Sequence, residues 1–468
     1  MRSKTSFFNP TLFKKNLTRF WPLWGGASAL GALVPLAALA ELLDGGLRSH
    51  AGQGLELTHM FYCALAYFVP VISLFYAALC ALAVWHYLYN ARSVGLYHSL
   101  PITRKGLFVT NVLSGMTMML IPYAVVGGLA VLISLPAGLF EPVGILMTVL
   151  GVIGESFFYF ASANLVVFIT GNPFALAAFY FIFHFIAAGA EWLLSELMTQ
   201  FYFGVEQAYE GVVEFLSPTI YLLRKLHPYA SYVQIATPDG WIERGDIESV
   251  TLSHGWLIAV YALVGVVLLG CAWLLYQRRR SESAGDVVAV GWMKPIFRYG
   301  VALCSALAGG VMLYFIFHDT FQRGSTAEVV PMASCMAIAG VVGYYIASML
   351  LAKSLKVFRG SGKGALATVI AAIAVCFFIA ADPFGVESWT PDAGEVETVN
   401  LTIYGTYGRA LSARTDDSAT LQRVLDLHQA ILEEADTLDR WTSEADWGQS
   451  SQIYLSYLLP GGKWAYRY

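Results

Sequence analysis

The chain contains nine apolar blocks, and each is long enough to cross a lipid bilayer as an α-helix. A membrane-spanning helix needs about 20 mainly apolar residues. The blocks cover residues 21–43, 60–88, 107–135, 143–169, 174–195, 255–276, 298–317, 331–352 and 365–381. Only 13% of the residues are charged, whereas a soluble protein carries roughly 25%. We therefore predict an all-α polytopic membrane protein with about nine transmembrane helices.

Basic residues are concentrated in alternate connectors, which predicts the orientation of the chain. With the N-terminus in the cytoplasm, the inner segments carry most of them: Arg2, Lys4, Lys14, Lys15, Arg19, Arg92, Arg104, Lys105, Arg278, Arg279, Arg280, Lys294, Arg298, Lys353, Lys356, Arg359 and Lys363. Nine crossings then leave the C-terminal tail outside. One merged or missed span would move the tail to the cytoplasm.

All six cysteines fall within predicted spans, and none has the CxxC spacing of a metal site. They are Cys63, Cys80, Cys271, Cys304, Cys335 and Cys376. We predict that they are small apolar core residues, so disulfides do not hold the exposed parts together.

Residues 9–21 predict a basic amphipathic helix ahead of the first span. Asn9 suits a helix cap and Pro10 the first helical position. Apolar residues follow at helical spacing and mark one face, namely Phe13, Leu17, Phe20, Trp21 and Trp24. The opposite, mainly basic face carries Lys14, Lys15, Thr18 and Arg19. Such a helix lies in the inner headgroup layer. The alternative is a simple extension of the first span.

The connector 89–105, between the second and third spans, mixes apolar residues with basic and hydroxyl groups. Its apolar residues are Val94, Leu96, Leu100 and Ile102. A fully solvated connector has no need of them, so we expect a short helix that docks into a groove of another protein. The alternative is a re-entrant or interfacial loop on lipid headgroups.

The fourth and fifth spans are joined by a tight turn at residues 170–173 and must form an antiparallel hairpin. The outer segment 196–254 predicts amphipathic helices, one with Glu206, Glu210 and Glu214 facing water and another after Pro218.

A polar segment, 281–297, follows the sixth span and is typical of a linker. We therefore divide the membrane part into a six-span core, 21–280, and a second part, 281–381, of the linker plus three further spans.

Residues 382–468 predict a small extracytoplasmic α+β module. Residues 396–404 alternate as in a strand, and Leu421, Val424, Leu425 and His428 begin the stripe of an amphipathic helix, with His428 in the core. Residues 451–459 and the sequence after Pro460 predict a further hairpin. The chain stops soon after the last strand begins, as expected of a truncated module.

No enzyme motif stands out, so we expect neither a catalytic residue nor a metal site. The segment 360–364 resembles a phosphate loop only superficially, because position 357 is Val and the residue after Lys363 is Gly. We expect it to be a flexible basic inner loop.

Two ionisable residues lie inside predicted spans, where burial is costly and function is the default expectation. Glu155 falls in the fourth span and His184 in the fifth, so the hairpin can place both on one face of a cavity. One interpretation is a role in a substrate path. The other is a satisfied polar contact within the bundle.

Three stretches together resemble the permease subunit of an ABC type-2 transporter, in its extended Gram-positive form with an extracytoplasmic C-terminal module. They are the entry segment 9–21, the loop 97–104 that leads into Asn111 and Gly115, and the six-span half with its hairpin. The resemblance covers about residues 1–280.

In that family an elbow helix precedes the first span, here residues 1–20, and the loop after the second span touches the ATPase. The resemblance thus implies an ATPase-coupling loop formed by Arg92, Leu96, His98, Leu100 and Arg104. It implies a second permease subunit, identical or related, in the bacterial plasma membrane. ATP and Mg²⁺ would bind separate cytosolic ATPase subunits, with no cofactor in this chain. The expected activity is ATP-driven export of a hydrophobic or peptide-like substrate by alternating access.

Two other functions remain open at this point. One is a membrane sensor or scaffold whose outer module binds a ligand or cell-wall component. The other is an ion- or proton-coupled carrier, which predicts inverted repeats that the sequence does not clearly show. No nucleic acid partner is expected.

Overall fold

The computed structural model describes residues 7–43, 54–135, 141–202, 204–205, 213–236, 242–317, 329–404, 410–433, 452–460 and 463–467. These residues divide into two units, which are considered separately. The first comprises Met1–Ala187 and Glu214–Lys294, and the second comprises Ala188–Val213 and Pro295–Tyr468.

Helices form most of the described chain. In order they are α1 (Pro10–Arg19), α2 (Trp21–Leu43), α3 (Gly54–Cys63), α4 (Val69–Trp85), α5 (Ala91–His98), α6 (Arg104–Ser134), α7 (Pro142–Ile169), α8 (Pro173–Phe201), α9 (Pro218–Lys225), α10 (Trp256–Arg278), α11 (Met293–Cys304), α12 (Gly310–Phe317), α13 (Val329–Ala352), α14 (Phe358–Ala380) and α15 (Ser418–Glu433). The strands are β1 (His227–Ala236), β2 (Ile242–Ser253), β3 (Thr398–Tyr404), β4 (Ala410–Thr415), β5 (Gln452–Leu459) and β6 (Lys463–Arg467).

Eight helices among the described residues are long and apolar enough to cross a membrane. They are α6, α7, α8, α10, α13, α14 and two helices interrupted by a π turn, α3–α4 at Ala64–Phe68 and α11–α12 at Ser305–Gly309. This confirms the prediction of a multi-pass, mainly helical membrane protein. The first predicted block is helix α2, of 23 residues, and it forms a ninth candidate together with α1, which it meets at a bend of 57°.

Helix α1 packs on α6 through polar side chains. The Asn9 side chain caps α1 by accepting from the Leu12 amide at 3.0 Å. The Asn16 side chain is buried and donates to Asn111 Oδ1 at 2.9 Å and Ser114 Oγ at 3.2 Å. The helix predicted at this position is therefore present, and its less basic face is held against the bundle.

Aromatic rings fill one end of the first unit. The Trp85 ring centroid lies 4.9 Å from that of Phe168, 5.2 Å from Tyr276 and 5.8 Å from Phe108. The Trp85 indole donates to Asn164 Oδ1 at 2.6 Å. Buried aromatic rings at these separations add stabilisation beyond their apolar area, so α4, α6, α7 and α10 are joined firmly here.

The outer segment differs from its prediction. Helix α9 follows Pro218 as expected, but strands β1 and β2 then form an antiparallel hairpin that was not predicted. Glu214 does not face water, because it is buried and forms an ion pair with Arg224. Glu206 and Glu210 lie outside the described residues. The sequence signal for the hairpin is Thr-Pro-Asp-Gly at 237–240, a turn pattern between β-branched stretches.

The segment after α10 is pinned to the α7–α8 turn. The Gly171 amide donates to the Asp286 carbonyl at 2.9 Å, and the Gly285 amide donates to the Gly171 carbonyl at 2.6 Å. A Cβ on Gly171 would lie 2.2 Å from the Ser283 carbonyl oxygen. Part of the predicted linker is thus ordered against the bundle, and α11 already begins at Met293.

In the second unit, α13 packs closely on the α11–α12 helix. A Cβ added to Gly343 would lie 2.4 Å from the Ser305 Cβ, so glycine permits this approach. The segment 360–364 is not a flexible loop, because α14 begins at Phe358 and includes it. Continuous helix formation there satisfies backbone groups that a loop would leave to solvent.

The C-terminal module is an antiparallel sheet in the order β4-β3-β5-β6 with α15 on one face. Strands β3, β5 and β6 and helix α15 confirm the α+β prediction, whereas β4 was not predicted. His428 is in the core as expected, and its Nδ1 lies 3.0 Å from the Tyr457 hydroxyl.

Close packing of α6 on α7 leads to a first prediction. A Cβ on Gly115 would lie 2.3 Å from Phe160 Cζ, so Gly115→Ala should destabilise the chain by about 1–3 kcal/mol. Gly128→Ala in the same helix meets nothing within 4 Å and should leave stability unchanged or slightly raised. The measurement is the thermal unfolding midpoint of the detergent-purified protein. Equal midpoints for the two variants would contradict this packing.

The module should lose stability in acid. Burial, aided by the nearby Arg467 charge, lowers the pKa of His428 from 6.5 to about 4. Between these values the unfolded chain binds the extra proton, so stability falls as pH drops from 6.5 towards 4, by at most about 1.4 kcal/mol per pH unit. Hydrogen–deuterium exchange of α15 peptides, corrected for intrinsic rates, should show this loss. His428→Gln should flatten the pH dependence, and an unchanged slope would disprove the assignment.

Candidate functional site

The loop after the second span forms a short helix with an exposed apolar side. Helix α5 begins at a cap in which Asn90 Oδ1 accepts from the Arg92 amide at 3.0 Å. Leu96 is 65% exposed and Leu100 is 39% exposed. Arg92 and Arg104 are exposed on either side of them. Four of the five predicted loop residues therefore lie on the surface, and the side chain of the fifth, His98, lies outside the described part.

The same helix is fixed to the bundle by its other side. Val94 is buried, and the Tyr97 ring stacks on the Tyr87 ring with centroids 4.1 Å apart and planes at 9°. The Tyr87 hydroxyl lies 3.3 Å from that of Tyr276 on α10. The four apolar residues of the connector thus serve two purposes, since Val94 and Ile102 pack inward while Leu96 and Leu100 face outward.

Arg279, one residue beyond α10, joins the ends of two other helical segments. Its guanidinium donates to the Val167 carbonyl at 2.6 Å and to the Leu88 carbonyl at 3.4 Å. Both carbonyls belong to last turns, which lack partners inside their own helices and carry the negative end of the helix dipole. Arg104 adds a similar contact, donating to the Gln277 carbonyl at 3.2 Å. These two arginines therefore tie together the ends of α6, α7 and α10 and the turn after α4.

His184 is buried among polar partners on both ring nitrogens. Its Nε2 lies 3.1 Å from Ser162 Oγ, and its Nδ1 lies 3.2 Å from Thr219 Oγ1. Tyr159 stacks on the imidazole at 5.1 Å and also donates to Thr219 Oγ1 at 3.2 Å. Both ring nitrogens of His184 thus have partners, as a polar contact within the bundle requires.

Glu155 is buried like His184, but among the described residues its side chain lacks the hydrogen-bond partners that His184 has. Its exposed fraction is 0%, and neither carboxylate oxygen has a hydrogen-bond partner in the part of the chain that the structure describes. It lies close enough to Tyr123 and Tyr159 for electrostatic interaction, and no hydrogen bond joins it to His184. The structure thus places both residues in the first unit without joining them into one site.

The residues that organise these regions were largely missed from sequence. Arg279 was counted only as one of three arginines that end the sixth span, and Thr219 was not considered. A signal exists for Arg279, because a basic residue just after an apolar span can cap neighbouring helix ends. Thr219 gives no such signal, since only the fold brings it to His184.

One open cleft, of about 780 Å³, lies beside strand β1. His59, Tyr229, Tyr232 and Glu248 are among its lining residues. It contains none of the residues predicted as functional.

Comparison with protein-family models, with curated proteins and with solved structures finds no match to this chain. Its function must therefore be argued from its own residues.

The Arg279 contacts predict that replacing Arg279 destabilises the protein more than replacing its neighbour Arg278. Arg279→Gln leaves the Val167 and Leu88 carbonyls without their donor, so we expect a loss of about 1–3 kcal/mol in stability. Arg278→Gln, next to it on the exposed side, should cost little. Thermal unfolding midpoints in detergent measure both. A larger loss for Arg278→Gln would argue against the proposed role of Arg279 at the helix ends.

Proposed function

We propose that this chain is the membrane-spanning permease subunit of an ATP-driven, ABC type-2 transporter of the bacterial plasma membrane. The observation that carries the proposal is the α5 surface, which we define as Arg92, Leu96, Leu100 and Arg104. Arg92 and Leu96 are exposed on α5, whose inner side is held by Val94 and Tyr97. Leu100 is exposed in the short connector that follows α5, and Arg104 is exposed at the first position of α6.

An exposed apolar pair gains free energy when it is covered, and a short helix in a groove is a common way to cover it. Fixing the helix beforehand reduces the entropy lost on binding. Because α5 stacks through Tyr97 on Tyr87, just after α4, and the Tyr87 hydroxyl lies 3.3 Å from that of Tyr276 on α10, a partner that binds the leucines would act on the membrane helices through these contacts.

The proposed orientation places this surface in the cytoplasm. Basic residues lie in the connectors that share a side with α5, in agreement with the positive-inside tendency. Eight candidate spans plus the α1–α2 pair give nine crossings. The N-terminus would then be cytoplasmic and the C-terminal module extracytoplasmic, with α1 as the elbow helix in the inner headgroup layer.

Hydrolysis of ATP belongs, in this proposal, to separate cytosolic subunits. The glycine-rich segment 360–364 lies in the first turns of α14 and not in a loop between a strand and a helix, as a phosphate loop would require. A second permease subunit, identical or related, would complete the path for a hydrophobic or peptide-like substrate. Transport would proceed by alternating access, in which closure of the ATPases shifts the helices.

A second candidate is a membrane sensor or scaffold. What favours it is the module sheet, whose face opposite α15 carries Asn400, Thr402 and Ser412 joined by hydrogen bonds of 3.1 Å. A polar sheet face of this kind suits a ligand or cell-wall component. Purification from the native membrane distinguishes the two candidates, since a transporter should bring an ATPase with it.

The proposal predicts that charge on the α5 surface breaks the complex. In the double variant Leu96→Asp and Leu100→Asp, carboxylates would be desolvated in the groove, so recovery of the ATPase subunit with the tagged chain should fall at least about tenfold. Quantitative mass spectrometry of the purified complex measures this recovery.

A matched control is Leu355→Asp, at a residue that is 75% exposed in another connector predicted to be cytoplasmic. It should leave ATPase recovery unchanged. If the α5 double variant retains normal recovery while the chain remains folded, the coupling assignment is wrong.

A further inference from the structure

A carboxyl group is enclosed at the centre of the first unit. Glu155 and the adjacent Ser156 both have an exposed fraction of 0%. Helix α7 packs tightly on either side of them, against Leu65 at Gly151 and against Ile258 at Gly154. Glu155 therefore sits between the π turn of the α3–α4 helix and α10, away from any aqueous surface.

The groups around this carboxyl are committed to other partners. Tyr123, facing it from α6, shares a 2.7 Å hydrogen bond with Ser73 of α4, and Tyr159, on α7 itself, donates to Thr219. These two phenols are the titratable groups that interact with Glu155, and no positively charged described residue does so. Three oxygen atoms are left over: both carboxylate oxygens and Ser156 Oγ have no partner among the described residues.

An ionised Glu155 carboxylate without a bound cation would be energetically unfavourable in these surroundings. Burying a carboxylate without a counter-charge costs far more than leaving it in water, and unmet acceptors add to the cost. In a membrane interior, an ionisable residue kept under these conditions is a functional candidate.

We propose that the Glu155 carboxyl binds a single small cation inside the bundle. The donors available at this site limit which cations can bind there. Three or more His, Cys, Asp or Glu side chains do not meet anywhere in the described chain, so the site lacks the donors of a transition-metal centre. One carboxylate balances one positive charge, which suits a proton, an alkali cation or a primary ammonium group. The site belongs to the isolated chain, so its existence does not depend on an ATPase partner.

The test uses the full chain in detergent without any partner. Thermal unfolding midpoints are measured at constant ionic strength, with choline chloride replaced stepwise by NaCl, KCl or methylammonium chloride, and at pH values from 8.5 to 5.5. Because a ligand of the folded state stabilises it by mass action, the wild-type midpoint should rise by about 3 °C or more with the fitting cation. Glu155→Gln removes the charge, so it should start from a higher midpoint and lose the response.

The salt series and the pH series together identify the cation. A response to NaCl, KCl or methylammonium at fixed pH indicates that ion, whereas a response to falling pH alone indicates a proton. His428 contributes the same pH dependence to both chains, so their difference isolates Glu155. Glu56→Gln, which removes a partly exposed carboxyl, should keep the wild-type response. Identical responses of the wild type and Glu155→Gln in every arm would overturn the proposal.

A chemical measurement covers the case in which Glu155→Gln does not fold. Dicyclohexylcarbodiimide modifies protonated carboxyl groups in apolar surroundings. In choline buffer at pH 6, mass spectrometry should find Glu155 modified in the wild-type chain, with less modification when a fitting metal or ammonium ion is added. Absence of modification under all conditions would contradict a site that exchanges cations.

Discussion

The lipid bilayer offers no water to a buried polar group, so each such group in this chain has to find its partner inside the protein. Helix α7 shows the consequence at several positions, with Glu155 and Ser156 as the exceptions. The Glu141 side chain caps its first turn, Ser162 meets His184, Asn164 accepts from Trp85, and the Val167 carbonyl accepts from Arg279. The packing of α4 and α10 on α7 follows from these contacts as much as from apolar area.

Near α5 in the first unit, the same requirement explains why a charged residue, Arg279, is partly buried. The last carbonyls of a helix cannot bond within it. Arg279 supplies donors to two of them and brings a positive charge to the negative ends of the helix dipoles. Its hydrogen bonds are to carbonyls, so one side chain joins the end of α7 to the turn after α4. The exposed Leu96 and Leu100 consequently lie beside helix ends that arginine side chains hold together.

How far the sequence predicts this protein depends on the range of each interaction. Span length and hydropathy are local properties, so all eight candidate helices fall where apolar blocks were found. The module strands β3 and β5 were likewise visible from alternation. The β1–β2 hairpin was missed because helical spacing in the preceding residues was extended too far. Burial of Glu214 required Arg224 to fold back onto it, and contacts such as Asn16 with Asn111 join residues far apart in the chain. Nothing local reveals such pairs.

Helix α7 also connects the two regions argued to be functional. Glu155 and Val167 lie on one uninterrupted helix, about 18 Å apart along its axis. A movement of α5 that disturbed Arg279 would act on the end of α7, and a continuous helix cannot change its tilt at one end without moving its middle. Across from the middle, Leu65 belongs to a π turn, a local break of the kind often found at functional sites. The unpartnered carboxyl therefore lies beside this break, on the same helix whose end Arg279 holds.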